Sequence, residues 1–303
     1  MVIIDFAILS PRPSGVRSMA KIALCLQGGG SRGAYVAGPL QVLMENGIWA
    51  DFVAGTSCGS LMGCNYLSKQ THRAEEETIF MCDDKEFFKP YRIFSKEKTM
   101  FNYDHLLNQV THRELPFDYE TFFKNPCKFY AVSTSCLDGK AAYLEKSDPD
   151  FFPDAIAASS ALPLTTKPVV YHGVPYLDGG VACPIAFEKA LLEGYDKIIV
   201  VATRAKGYRK GELKPLEWRL SSRMYRDYPA FLECYARSST IYNAQMDLLA
   251  ELEEAGRIFV IYPSIAPKVK HSETDKKILQ NLIDLGKKDA LEALPQIKSY
   301  LSK

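Results

Sequence analysis

Residues 21–68 alternate two short apolar runs with two helical stretches, and few folds accept that order. "KIALCL" (21–26) and "DFVAG" (51–55) are mostly apolar and too short for helices, so they read as buried strands. In "AYVAGPLQVLMENG" Tyr35, Leu40, Val42 and Leu43 fall on one helical face, with Gly47 as a natural stop. "SCGSLMGCNYLS" then resumes as a helix. Strand, glycine loop, helix, strand, sharp turn, helix predicts an α/β fold: a mostly parallel sheet covered by helices.

The rest of the chain extends this plan. "DKIIVVAT" (196–203) and "RIFVIYPS" (257–264) read as two more strands. "KFYAVSTS" and "KAAYLEK" pair around the turn "LDGK", and "PDAIAASSAL" is helical. "KPVVYHGVPYLDGG" is a hairpin turning at His172-Gly173. Residues 72–126 alternate charges with aromatics and read as a helical insertion whose rings either line a pocket or pack a cap. We therefore expect a flexible arm at 1–18, a catalytic core at 19–205 and a largely helical region at 206–303 that completes the same domain. Either Met1 or Met19 could be the start.

Composition narrows the function. The 303 residues carry a formal charge of +1, so no global field favours nucleic acid. No apolar run approaches the ~20 residues that span a bilayer. The N-terminus lacks a basic leader, and a cytoplasmic protein is expected, peripheral at a membrane if it meets one. The run Lys206, Arg209, Lys210, Lys214, Trp218, Arg219, Arg223, Tyr225, Arg226 reads as a solvated helix face, with transient contact to anionic lipid as the alternative. Eight cysteines without an export signal are expected as reduced core thiols. The five histidines are scattered, no C-x-x-C or H-E-x-x-H occurs, and neither metal nor organic cofactor is expected. Nothing in the sequence sets an oligomeric state.

Two glycine-rich turns follow the first two strands. Gly28, Gly30 and Gly33 spell G-x-G-x-x-G, formally a dinucleotide-binding fingerprint. That fingerprint wants an acidic residue at the end of the second strand, whereas Asp51 precedes the strand. A plain turn accounts poorly for three glycines in a row. A third reading uses both turns. Consecutive glycines let backbone N–H groups converge at a helix N-terminus, which suits a developing oxyanion as well as a phosphate. Gly55-Thr56-Ser57-Cys58-Gly59 is a G-x-S-x-G that sets Ser57 on a strand-to-helix elbow, with Gly55 and Gly59 relieving clashes. Cys58 reads as a small, partly buried residue rather than a reactive thiol.

A serine nucleophile needs a base. His72 and His112 lie in charged segments, His172 at a hairpin tip, and His271 before a charged helix start, where solvation is expected. Asp178 ends an apolar hairpin strand and precedes Gly179 and Gly180. It is either a turn residue or a base set against the serine.

Taken together, "LQGGGSRGAYVAGPLQVL", "AGTSCGSLMG" and "ASSALPLTTKPVVYHGVPYLDGG" resemble the three blocks of the patatin-like phospholipases, over residues 21 to about 203. The segment "ATRAKGYRK" resembles a bacterial subgroup. The resemblance implies a three-layer α/β/α fold and a Ser–Asp dyad without histidine. It implies Ser57 as nucleophile and Asp178, in its D-G-G motif, as general base. It implies an oxyanion hole in the loop Gly28, Gly29, Gly30, Ser31, Arg32 and Gly33, with Arg32 matching the family's basic residue. Gln27 stands where members often carry Asp or Ser. The expected activity is hydrolysis of fatty-acyl esters of lipids (phospholipid, lysophospholipid or related ester). A nucleotide-binding enzyme and a non-catalytic member of the fold are the alternatives.

Overall fold

The computed structural model describes residues 21–94 and 99–303; the arm expected at 1–18, with both candidate start residues, lies outside the described residues. The first two apolar runs form β1 (Ile22–Leu26) and β2 (Phe52–Thr56), which pair in parallel. The glycine loop enters α1 (Ala34–Glu45) through a 3-10 turn, and the elbow enters α2 (Cys58–Leu67) directly. Next come α3 (Arg73–Asp83), α4 (Tyr119–Lys124), the paired strands β3 (Lys128–Ser135) and β4 (Ala141–Glu145), and α5 (Asp154–Ser159). The hairpin is β5 (Val169–Tyr171) and β6 (Val174–Asp178); positive φ at His172 (47°) and Gly173 (77°) makes its tight turn. After α6 (Phe187–Leu192) and β7 (Lys197–Val201) the chain forms α7 (Pro215–Met224), α8 (Pro229–Ala236), α9 (Ser238–Glu254), β8 (Ile258–Ile261) and α10 (Lys276–Ser302).

All eight strands join one sheet in the order β5-β6-β3-β2-β1-β7-β8, with β4 also on β3. The five from β3 to β8 are parallel. Period-two alternation divides their side chains between two layers. Leu24, Leu26, Val53, Phe129, Ala131, Ile199 and Val201 pack with α1, α2, α5 and α10. Ala23, Cys25, Phe52, Ala54, Tyr130, Val132, Ile198 and Val200 pack with α6 and α9. The result is a three-layer sandwich, as the alternation of elements predicts. α10 lies against α1 at backbone distance: a Cβ on Gly38 would meet Lys287 N at 2.4 Å, and one on Gly286 would meet Tyr35 O at 2.3 Å.

The position of β6 is decided by β3. β4 lies along one edge of β3, facing residues 130–134. The opposite edge holds β2 as far as Val132, paired with Thr56, and then β6 from Ser133, paired with Asp178. β2 and β6 run in opposite directions, so their C-terminal ends abut on that edge.

Candidate active site

Ser57 follows β2 and precedes α2, with φ 57° and ψ −129°, a conformation that a side-chain-bearing residue adopts only when its surroundings enforce it. Ser159 supplies part of that enforcement. Its hydroxyl accepts the Ser57 N–H at 3.0 Å and donates to Val132 O at 2.6 Å, tying the elbow to β3. The elbow glycines serve close approach: a Cβ on Gly59 would meet Leu26 O at 2.4 Å, and one on Gly55 would meet Gly59 O at the same distance. Thr56 faces inward and donates to Cys183 O at 3.1 Å.

Asp178 is 3% exposed and Ser57 5%. The carboxyl accepts the Gly180 N–H through Oδ1 at 2.7 Å. Oδ2 has no hydrogen-bond partner. The Ser57 hydroxyl lies close enough to pull the acid's pKa down, yet the pair does not close a full hydrogen bond. Burial outweighs that pull, the Gly180 amide and the charge of Lys210, and pushes the carboxyl up to about 6. Gly179 lets the chain pass β3 closely, since a Cβ there would lie 2.1 Å from Val132 O.

The glycine loop comes down onto the elbow, where a Cβ on Gly28 would lie 2.9 Å from both Ser57 Cβ and Thr56 O. Its six residues do different things. Among the described residues no backbone acceptor takes the N–H groups of Gly28, Gly29 or Gly30. That of Gly29 faces the Cys58 sulfur. Ser31 and Arg32 are not free donors: Ser31 N–H goes to His271 O at 2.9 Å, and Arg32 N–H to Gly29 O at 3.3 Å. Gly33 makes room for Cys58, whose Sγ would lie 2.2 Å from a Cβ. Cys58 is buried, and burial pushes its thiol up to about 12, so it stays protonated. All eight cysteines are free thiols.

Two cavities meet at Ser57. One, of about 100 Å³, is apolar and lined by Leu61, Met62, Phe87, Phe101, Tyr103 and Leu279. The other, of about 510 Å³, contains Asp178 with the cations Arg32, Arg204 and Lys210. Part of the aromatic-rich insertion thus walls the first cavity, through the rings of Phe87, Phe101 and Tyr103, which meet one another in tilted and edge-on contacts. Phe117 and Phe122 pack instead in the core.

Three groups escape a reading of the sequence. Gln27 Oε1 accepts the Thr203 N–H at 2.7 Å, and Thr203 Oγ1 donates to Gly28 O at 2.7 Å, so the loop is moored to the end of β7. Ser159 hides in "ASSAL", where nothing separates it from its neighbour Ser160. His271 is the largest departure. The ring is accessible to solvent, as its charged sequence neighbours lead one to expect, but it also lines both cavities beside Ser57, which they do not. Desolvation first, then Arg32, Arg204 and Lys210, lower its pKa. The other four histidines line neither cavity.

The one grouping of metal-type ligands among the described residues, Asp148, Asp150 and His172, is at the β5–β6 hairpin and away from both cavities. Nucleotide binding at the glycine loop would require a vacant helix N-terminus. Here Ser31 N–H is engaged, and the His271 ring covers Gly30.

A family profile described as Patatin-like phospholipase matches residues 24–190, and a domain of unknown function (DUF6363) matches residues 228–302. Uncharacterized protein YjjU of Escherichia coli is 29% identical over 204 residues, covering 66% of this chain and 56% of that protein. An uncharacterized NTE family protein of Mycobacterium tuberculosis is 26% identical over 246 residues, covering 76% of this chain and 64% of its own length. The alignments thus span less than two thirds of these relatives. Among solved structures, VipD from Legionella pneumophila aligns at a TM-score of 0.43 and 12% identity, over 92% of this chain and 67% of that one.

Proposed function

We propose, from the premise that this chain belongs to the patatin-like phospholipase family, that it cleaves fatty-acyl esters of lipids through a Ser57–Asp178 dyad. The observation that carries this reading is the abutment of β2 and β6 on one edge of β3, which buries the hydroxyl and the carboxyl together. Asp178 takes the Ser57 proton as Ser57 Oγ attacks the ester carbonyl. The carbonyl oxygen gains the negative charge, and N–H groups of Gly28 and Gly30 hold it, joined by that of Gly29 as it exchanges the weakly accepting Cys58 sulfur for the oxyanion. Collapse expels the alcohol, which takes the proton from Asp178, and leaves an acyl-Ser57. Water, deprotonated by Asp178, attacks that ester, and the fatty acid leaves as the proton returns to Ser57.

A carboxylate is a weaker base than imidazole. A raised pKa brings Asp178 closer to the working pH and so strengthens it. The smaller apolar cavity suits the acyl chain. The roomier cleft, with Arg204 and Lys210, suits an anionic headgroup. For transient contact with a lipid surface, support comes from α7. Leu216, Trp218, Leu220 and Met224 are exposed there, interleaved with Arg219 and Arg223. In the same reading residues 206–303 complete the domain begun at residue 19, since β8 extends the sheet and α10 covers α1.

Incubation with a lysophospholipid tests this, with released fatty acid as the readout. Wild type should release it, and Ser57→Ala, a substitution that removes one oxygen, should not. Equal release by both proteins would rule out the dyad.

A further inference from the structure

Residues 269–273 connect β8 to α10 and run across the glycine loop. Alternate carbonyls of this stretch take donors from two consecutive loop residues. Val269 O accepts from Arg32 Nη1 at 3.1 Å, His271 O from Ser31 N at 2.9 Å, and Glu273 O from Ser31 Oγ at 2.9 Å. The His271 ring stands directly on Gly30, so that a Cβ at that position would lie 1.9 Å from Nδ1. Gly30 itself holds φ +57°. Loop and stretch are more than 230 residues apart in sequence, as |i−j| is 237 and 242 for two of these bonds.

The geometry points to a strap. We propose that residues 269–273 hold the glycine loop in its donor arrangement, and that His271 is a positioning residue for the oxyanion acting through Gly30. The oxyanion part rests on the hydrolase reading above. The physical argument is about alignment. Hydrogen-bond strength falls steeply with angle. The peptide N–H groups of Gly28, Gly29 and Gly30 have no side chains to hold them. Their direction is set from outside: by Thr203 at Gly28 O, and by the strap at Ser31 and above Gly30. Residues 269–273 therefore supply one of the two walls that orient the donors. Misplacement by about 1 Å can cost on the order of 10²-fold in rate.

Hydrogen exchange on the full chain reads the strap without any need for turnover. His271→Ala should speed exchange of the Ser31 amide by about tenfold or more, while β1 and β2 keep their protection. Unchanged Ser31 exchange would overturn the proposal. Hydrolysis of a soluble p-nitrophenyl ester reads the consequence. His271→Ala and Ser31→Ala should each lower kcat by about tenfold or more, with KM within about twofold. Because both act through one loop, the double variant should be no slower than the slower single. His271→Asn, which returns a planar polar group to the Nδ1 position, should recover most of the rate. Unchanged kcat, or losses that multiply in the double variant, would remove the positioning role. Wild-type protein with no Ser57-dependent turnover would sink the hydrolase reading instead, and the exchange experiment would still decide whether the strap holds the loop.

Discussion

Thr56 and Asp178 occupy consecutive positions along one edge of β3, opposite Val132 and Ser133, although they arrive on strands that run in opposite directions. Ser57 is the next residue after Thr56, so this register alone brings the serine and the carboxylate together. A single-residue slip of β6 would turn Asp178 to the other face of the sheet. Thr134 guards against that slip: its Oγ1 donates to Asp178 O at 2.8 Å and accepts the Ala182 N–H at 3.2 Å.

A fluorophosphonate probe should attach to Ser57 and to no other serine of the folded protein. Peptide mapping after labelling checks this, and Ser57→Ala should be blank. Ser60 and Ser159, both buried nearby and both committed to backbone carbonyls, are the informative negatives. A label on either would refute the assignment.

The proposed base sets the pH profile. Asp178 must be ionised to accept a proton, and burial holds its pKa at about 6. kcat/KM should therefore rise with pH through about 6 and level off above it. The stability effect has the opposite sense. A carboxyl whose folded pKa lies above its ordinary 3.8 favours the fold fully below that value and has lost its contribution once pH passes about 6. Asp178→Asn should cut kcat by orders of magnitude yet raise the melting temperature at pH 7–8, the gap in pKa corresponding to roughly 3 kcal/mol. An inactive variant that is also less stable at neutral pH would mean that the carboxylate is held by bonds rather than penalised by burial.

Gly30→Ala should lower kcat while leaving substrate binding intact. The added methyl meets the His271 ring and must displace it, and φ +57° disfavours any side chain. Losing one oxyanion donor typically costs ~10²–10³ in rate. Near-wild-type kcat in a folded variant would show that the loop makes no transition-state contact.

Substituting α7 should separate lipid-surface activity from chemistry. Leu216→Asp with Leu220→Asp should reduce hydrolysis of vesicle-borne substrate severalfold and leave a soluble ester unaffected, since both side chains are exposed. Parallel losses on both substrates would implicate α7 in the catalytic cleft instead.

Hydrolysis should also survive excess chelator. The dyad chemistry uses no metal, and the Asp148, Asp150 and His172 grouping lies outside the cleft. Activity lost to chelator and restored by a divalent cation would demand another mechanism.

The layers, the elbow and the glycine loop were legible in the chain because each is a local property. Strand length, helical periodicity and the runs around Gly28–Gly33 and Gly55–Gly59 depend on neighbours in sequence. The three blocks also carried the resemblance that singled out Asp178, which residue type alone left between turn and base. What the sequence could not convey is who stands beside whom. Gln27 meets Thr203 across 176 residues, Ser57 meets Ser159 across 102, and Tyr35 meets Asp289 across 254. The charged neighbours of His271 in sequence announce an accessible ring but not its place beside Ser57. Tertiary packing of α10 on α1, through Gly38 and Gly286, brings the preceding stretch over Gly30. A ring's environment, its pKa and the work it can do depend on the atoms around it in space, and those come from chain segments that no local pattern joins.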